Sequence, residues 1–292
     1  MNNKPNHPDS YQMVTERIIA KLKAGTIPWK HFASSPLGLP KNLVSKKPYH
    51  GINYFLLGGC SKYGSPYWLT FEQAQELGGH VRRGERSEIV VFWKFLEVED
   101  QQTGEKKEIP FLKYSHVFNV EQCEGLKLPP TTEGPAPRNS DPIKEAEAIV
   151  AEMPNRPRLQ INDVPSAYYS PSEDYVHMTS RERCVSDERY YETLFHELTH
   201  SIGHKSRLDR MEGDPGWKRF GSNSYCNEEL VAEMGAAMLC AEAEVFQQVE
   251  DNTAAYIANW LSKLHNEKTL VVKAAGKAQK STDYILGQPA LA

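Results

Sequence analysis

The stretch YYETLFHELTHSIGH, Tyr190 to His204, sets three histidines and two glutamates among apolar residues. His196, Glu197 and His200 spell H-E-x-x-H. On a helix, residues four apart share a face, so both imidazoles reach one ion and Glu197 stands beside its open position. A carboxylate there can take a proton from water. The local sequence favours a helix. Ser186 offers an N-cap, and Leu194, Phe195, Leu198, Thr199, Ser201 and Ile202 are uncharged, as a buried helix requires. Imidazole and carboxylate donors suit zinc, so one Zn2+ per chain is expected, with Mn2+ or another divalent ion able to replace it.

A third donor has to come from elsewhere. Downstream, NEELVAE places Glu229 and Glu233 four residues apart on one helix face. Glu229 is the expected third ligand, and Glu233 the carboxylate behind it that orients a ligand histidine. Glu228 falls on a neighbouring face and would need another rotation of the helix. His204, one turn past His200, is a rival ligand. Gly203 ends the helix there, which suits His204 better to a cap or to supporting a ligand from behind. Peptidases with H-E-x-x-H-x-x-G-x-x-H carry a third histidine where this chain has Ser206, which favours the glutamate ligand. His177, in DYVHMT, reads as an ordinary strand histidine on an edge strand able to pair with an extended peptide. Tyr168, Tyr169, Tyr190 and Tyr191 are candidate donors to a developing oxyanion.

With 292 residues the chain has room for one large domain or two of ordinary size. No apolar run approaches the roughly 18 residues that span a bilayer, and MNNKPNHPDSYQ has no apolar centre, so neither a membrane span nor a secretory leader is expected. Five dispersed cysteines without a CxxC pair point to reduced thiols and a cytoplasmic location. The net charge of −4 is uneven: residues 1–94 carry 13 Lys/Arg against 6 Asp/Glu, and residues 131–292 carry 17 against 25. Such a chain is too weakly charged overall to mimic DNA, and its basic first part and acidic last part suit different partners.

LPPTTEGPAPRNSDP, Leu128 to Pro142, is rich in Pro, Gly, Thr and Ser and reads as a linker. It divides a first domain, 1–127, from a second, 143–292. The first opens with a helix capped by Ser10 and stopped at Gly25, followed by a loop through Pro36, Leu37, Gly38 and Pro40. A short helix from Asn53 ends at Gly58-Gly59, and YWL leads into a helix capped by Thr70, with Gln73 three residues later as a partial capping box. SEIVVFWKFLEV and FLKYSHVFNV read as a hairpin turned through DQQTGEKK. The second domain holds the helix PIKEAEAIVAEM, the strand DYVHMT, the metal helix, and helices in NEELVAEMGAAMLCAEA, TAAYIANWLSKL and KAAGKAQKSTDYILG. The fold class is α+β: a small α+β domain, then a mostly helical domain with a short sheet.

The basic first part interleaves cations with rings: Trp29-Lys30, Lys46-Lys47-Pro48-Tyr49, Tyr54-Phe55, and Arg82-Arg83 with Arg86, joined by Trp68 and Trp93-Lys94. Single-strand binders combine Lys/Arg for phosphates with aromatic faces for bases. No basic helix with a groove-reading motif appears, so duplex readout is not expected.

Taken in order, IIAKLKAGTIPWK, KPYHGINYFLL, YWLTFEQAQELGG, the hairpin, the Pro-rich linker, YYETLFHELTHSIGHKSRLDR and EELVAEMGAAML resemble the ArdC-type antirestriction proteins, whose first part is shared with plasmid primases. The resemblance covers nearly the whole chain. It implies a single-stranded-DNA-binding domain followed by a zincin-like metallopeptidase domain, acting in conjugation to protect incoming plasmid DNA from host restriction. It implies His196, His200 and Glu229 as metal ligands of a gluzincin-type site, with Glu197 as the catalytic carboxylate.

Two functions follow as expectations. In the first, the protein holds single-stranded DNA and cuts a nearby host restriction-system protein. In the second, it coats the DNA without catalysis and its metal is structural. A two-metal nuclease is disfavoured, because a single H-E-x-x-H site lacks the clustered carboxylates such enzymes need.

Overall fold

The computed structural model describes residues 9–30, 39–99, 106–128, 141–210, 223–245 and 254–289. Residues 100–105 of the expected turn DQQTGEKK, nearly all of the linker, and Pro36, Leu37 and Gly38 lie outside the described residues, while Lys106 and Lys107 of that turn pair as strand instead.

Helix α1 (Ser10–Lys23) is capped one residue earlier than expected. The Asp9 carboxylate accepts from the Tyr11 amide at 2.9 Å, while Ser10 lies within the helix and its hydroxyl donates to the Leu112 carbonyl. Short β1 (Lys41–Asn42) precedes α2 (Ile52–Tyr54), which widens into a π-type turn over Phe55–Gly59. Gly59 is required there by contact: a Cβ would stand 2.3 Å from the Pro28 carbonyl oxygen. Then follow β2 (Tyr67–Leu69), α3 (Phe71–Glu76) and β3 (His80–Val81). Thr70 caps α3 as the sequence predicts, and Gln73 completes the box that the sequence offers in part.

The expected hairpin is present and long, with β4 (Glu88–Glu99) antiparallel to β5 (Lys106–Asn119) from Glu88↔Val117 to Glu99↔Lys106. It closes a four-stranded sheet of order β1-β2-β5-β4, and β3 pairs separately with β6 (Cys123–Glu124). After α4 (Pro142–Glu152), strands β7 (Arg158–Asn162), β8 (Tyr168–Ser170) and β9 (Tyr175–Thr179) form a sheet of order β7-β9-β8. The His177 strand is therefore central, correcting the expectation of an edge. The antiparallel edge belongs to β8. His177 is fixed by Ser166 and the Asn162 side chain, an ordinary strand histidine as read.

Helices α5 (Asp187–Ser201), α6 (Asn223–Glu242), α7 (Ala254–Asn266) and α8 (Leu270–Ile285) complete the chain. Ser186 caps α5 through the Arg189 amide, as expected. Among the described residues no helix is long and apolar enough to cross a membrane.

The two parts of the chain share a core. Val14, Ile18 and Leu22 of α1, with Ile27 and Trp29, pack in one cluster with Leu230 and Met234 of α6, Trp260 and Leu264 of α7, and Val271 and Ala275 of α8. Each fully buried aliphatic side chain contributes about 1.5–3 kcal/mol, so this junction is a structural core rather than a light contact. A second cluster joins α4, β9, α5 and α6 through Ile149, Val176, Leu194, Phe195, Leu198 and Leu239. The metal helix α5 thus lies in the second cluster, and α6 lines both.

Candidate metal centre

The apolar side of α5 buries Leu194, Phe195 and Leu198, and this fixes which way the histidines point. Helix α6 runs against α5 closely enough that a Cβ on Gly235 would stand 2.6 Å from Thr199 Cγ2. Thr199 has no room to yield, since it is fully buried and its hydroxyl donates to the Phe195 carbonyl at 2.7 Å. A glycine at this crossing brings the two helices near enough for their side chains to share an ion.

His196 Nε2 and His200 Nε2 lie 3.1 Å apart. Glu229 places Oε2 at 3.6 Å from the first and Oε1 at 3.6 Å from the second. Four donors around a tetrahedral ion at about 2.0–2.1 Å stand roughly 3.4 Å from one another. Neighbouring donors of a six-coordinate ion stand about 3 Å apart. The three residues therefore fit one divalent ion, and they form the group that meets metal-ligand spacing among the described residues. Glu197, 9% exposed, follows His196 on the same helix, and its charge acts on that imidazole. Burial pushes His196 down, but Glu229, Glu197 and Glu233 outweigh it and hold the imidazole above its ordinary pKa.

The residues behind the ligands differ from expectation. Glu228, not Glu233, supports a ligand histidine. Its Oε1 lies 3.4 Å from His200 Nδ1. A carboxylate only accepts, so Nδ1 carries the proton there, and Nε2 would keep its lone pair for a divalent ion. Arg210 in turn grips Glu228 through Nε at 3.1 Å and Nη2 at 2.6 Å. Burial raises the Glu228 carboxyl, but the Arg210 charge, with hydrogen bonds from His200 and Arg210, brings it down to about 2. Glu233 acts on His196 through its charge, and its hydrogen bonds go to other residues. It accepts from Trp29 Nε1 at 2.7 Å and from the Tyr256 hydroxyl. Burial holds its carboxyl above the ordinary range against those two donors and the charges of His196 and Lys30.

His204 is outside the ligand set. Its Nδ1 bonds the Ser206 hydroxyl at 2.8 Å and lies 3.8 Å from Asp174 Oδ2. The loop after α5 is held instead by Arg207, whose fully buried side chain bonds the Ser201 and Asn155 carbonyls, Tyr169 and Asp174. The Tyr169 hydroxyl donates to Asp174, and Tyr190 and Tyr191 are core residues, so these three are not placed as free oxyanion donors. The Tyr168 hydroxyl pairs with that of Tyr175.

A cleft of about 200 Å3 opens beside the site, lined by Trp29, Lys30, Arg189, Glu192, His196 and Glu233. This relocates two residues expected to touch DNA. Trp29 is 1% exposed and cannot offer a ring face to a base, and Lys30 lies over the Tyr256 ring, 4.7 Å from its centroid. Tyr54, 4% exposed, is likewise a core residue and no stacking platform. Lys46, Lys47, Arg83 and Arg86 are exposed, and Tyr49 is half-buried. Arg82 is occupied by Glu85 and the Glu121 carbonyl. Sequence reasoning did not single out Arg210 or Tyr256; neither has a motif, and each reaches the site through a hydrogen bond to a glutamate distant in the chain.

Residues 144–277 match a family model described as a zincin-like metallopeptidase, and residues 8–118 match that of the N-terminal domain of anti-restriction factor ArdC. Uncharacterized protein y4eC of Sinorhizobium fredii is 36% identical over 96% of this chain and 92% of its own length. DNA primase TraC of Escherichia coli is 34% identical over 97% of this chain, which spans only 27% of that primase. Among solved structures, the metal-free antirestriction ArdC protein from the R388 plasmid is 40% identical with a TM-score of 0.75, covering 95% of this chain and 96% of that one. Its Mn(II)-bound form is 39% identical with a TM-score of 0.73, covering 96% and 97%.

Proposed function

The chain belongs to the ArdC antirestriction family, and from that membership we propose that its first part binds single-stranded DNA while its metal centre hydrolyses a peptide bond in a host restriction-system protein, sparing incoming conjugative DNA. The observation that carries the peptidase half is the convergence of His196, His200 and Glu229 donor atoms beside Glu197. A divalent ion held by those three residues supplies Lewis acidity toward a carbonyl or a water molecule. Glu197 takes the proton of the attacking water on a carboxylate oxygen and delivers it to the departing amine nitrogen. Glu228 keeps the His200 proton on Nδ1, and Arg210 keeps Glu228 ionised. Strand β8, at the sheet edge and packed on α5, offers main-chain groups to an extended substrate.

Glu197→Gln tests this reading. The variant keeps its metal, measured by elemental analysis, and loses protection of conjugated DNA in a restricting recipient. Protection that survives in the metal-loaded variant sinks the proteolytic reading.

A second reading, a non-enzymatic coat with a structural metal, draws on the shared core. An ion clamped between α5 and α6 would brace helices that also pack against the first part of the chain. Under it Glu197→Gln is silent, while removing Glu229 lowers thermal stability and protection together.

A further inference from the structure

The β4–β5 hairpin extends beyond the core and leaves an unusual face uncovered. Side chains alternate along each strand, and directly paired residues share a face. Phe92↔Lys113, Lys94↔Phe111 and Leu96↔Ile109 are successive pairs on one side of the ribbon. Nearer the sheet that side begins at Val90, which packs with Leu57, Trp68 and Val117 under the partly buried rings of Tyr49 and Tyr63. Beyond Val90 no described residue covers this side as Tyr49 and Tyr63 do. Phe92 is 39% exposed, Leu96 52% and Ile109 50%, and Lys94 and Lys113 are exposed beside half-buried Phe111. Rings and ammonium groups therefore alternate diagonally across the face. Glu97 points to the opposite side with Trp93 and Phe95, and Glu88 at the foot of the hairpin is paired with Arg17.

We propose that this Phe92/Lys94/Phe111/Lys113 face is the surface on which single-stranded DNA lies, continuing outward from the cluster against which Tyr49 packs. The inference rests on the proposed DNA-binding role of the first part of the chain. Same-face neighbours along a strand are roughly 6.8 Å apart, which leaves each ring room to take one base while the next lysine meets a phosphate. The alternatives fit less well. A protein interface depletes lysine at its centre, and here the lysines are central. A second copy would bring like charges together. Duplex readout needs polar groups for base edges, whereas the uncharged positions here are Phe, Leu and Ile.

The test is anisotropy of a fluorescein-labelled single-stranded oligonucleotide titrated with the full, metal-loaded chain at several salt concentrations. Phe92→Ala with Phe111→Ala is expected to weaken binding by about tenfold or more, as loss of base stacking requires. Lys94→Gln with Lys113→Gln is expected to flatten the plot of log affinity against log salt by about 1.4, two phosphates' worth. Metal content and near-UV circular dichroism check that each variant is folded; the single Lys94→Gln change, with half the slope effect, stands in for any that is not. If the wild type binds and the hairpin variants bind equally well, the strand lies elsewhere and this inference fails while the DNA-binding reading stands. If the wild type does not bind, the DNA-binding reading itself fails.

Discussion

Trp29 Nε1 donates to Glu233 Oε2 at 2.7 Å, joining residues 204 positions apart in the chain. One belongs to the part that matches the ArdC N-terminal domain, the other to the helix that carries Glu229. The indole also meets Trp260 edge to face, with centroids 5.8 Å apart. Trp29→Phe keeps most of that packing and removes one of two donors to a buried carboxylate. The expected cost is about 1–3 kcal/mol, read as a lower urea midpoint at unchanged slope. Because Glu233 acts on His196, metal affinity is expected to weaken as well, by competition against a fluorescent chelator.

The support behind His200 gives a sharper test. Glu228→Gln is close to isosteric, but it cannot hold the His200 Nδ1 proton as a carboxylate does, and it leaves the buried Arg210 guanidinium without its anion. Losing such a partner typically costs 10- to 100-fold in metal affinity. Glu233→Gln, lacking a direct bond to a ligand nitrogen, is expected to cost less. Isothermal titration with Mn2+ ranks the two; the reverse order would overturn the assignment of Glu228.

The division between what the sequence made legible and what it did not follows from the range of each signal. Two histidines at i and i+4 on a capped helix are local, and so are a hairpin of β-branched and aromatic runs and a Thr70–Gln73 capping box; all appear as read. Glu229 was legible because four-residue spacing identifies a helix face. Helical spacing does not say how that face is turned about its axis relative to a neighbour, so the contact with a histidine expected of Glu233 falls to Glu228, placed by the sequence on a neighbouring face. Residue type likewise leaves open which rings are buried. Trp29 and Tyr54 went inside, while Phe92 and Trp93 stayed out, because of a core assembled from both parts of the chain. The same long-range packing placed the Pro28 carbonyl against Gly59, which the sequence had marked only as a helix stop.

Gly235→Ala probes the helix crossing directly. The added methyl meets Thr199 at a distance no relaxed contact tolerates, and Thr199 is pinned by its bond to Phe195. Helix α6 must move outward, carrying Glu229 away from the two imidazoles. The expected result is about 1–3 kcal/mol of destabilisation from overpacking, with a loss of metal affinity. Gly235→Ala combined with Thr199→Ser, which deletes the nearest methyl, is expected to recover part of both.

Asp174 sets the acid limit of the loop that follows α5. Burial raises its carboxyl, but hydrogen bonds from Arg207 and Tyr169 and the nearby charges of Arg207 and His204 prevail, so its pKa lies below the ordinary carboxylate value. A carboxyl depressed in the folded state contributes stability that is fully present above the unfolded pKa, about 3.9, and is lost as pH falls through the folded value. Asp174→Asn isolates that contribution, since Asp174 sits at φ +48° and Asn is the other side chain at ease in the left-handed region. At pH 7 the variant is expected to be less stable by about 1.5–3 kcal/mol, the cost of weakening charge-assisted bonds to the buried Arg207. Urea titrations from pH 7 down to 3 should show the gap constant until near pH 4 and narrowing below it. A gap that held its size through pH 3 would mean that Asp174 acts through shape and not through its charge.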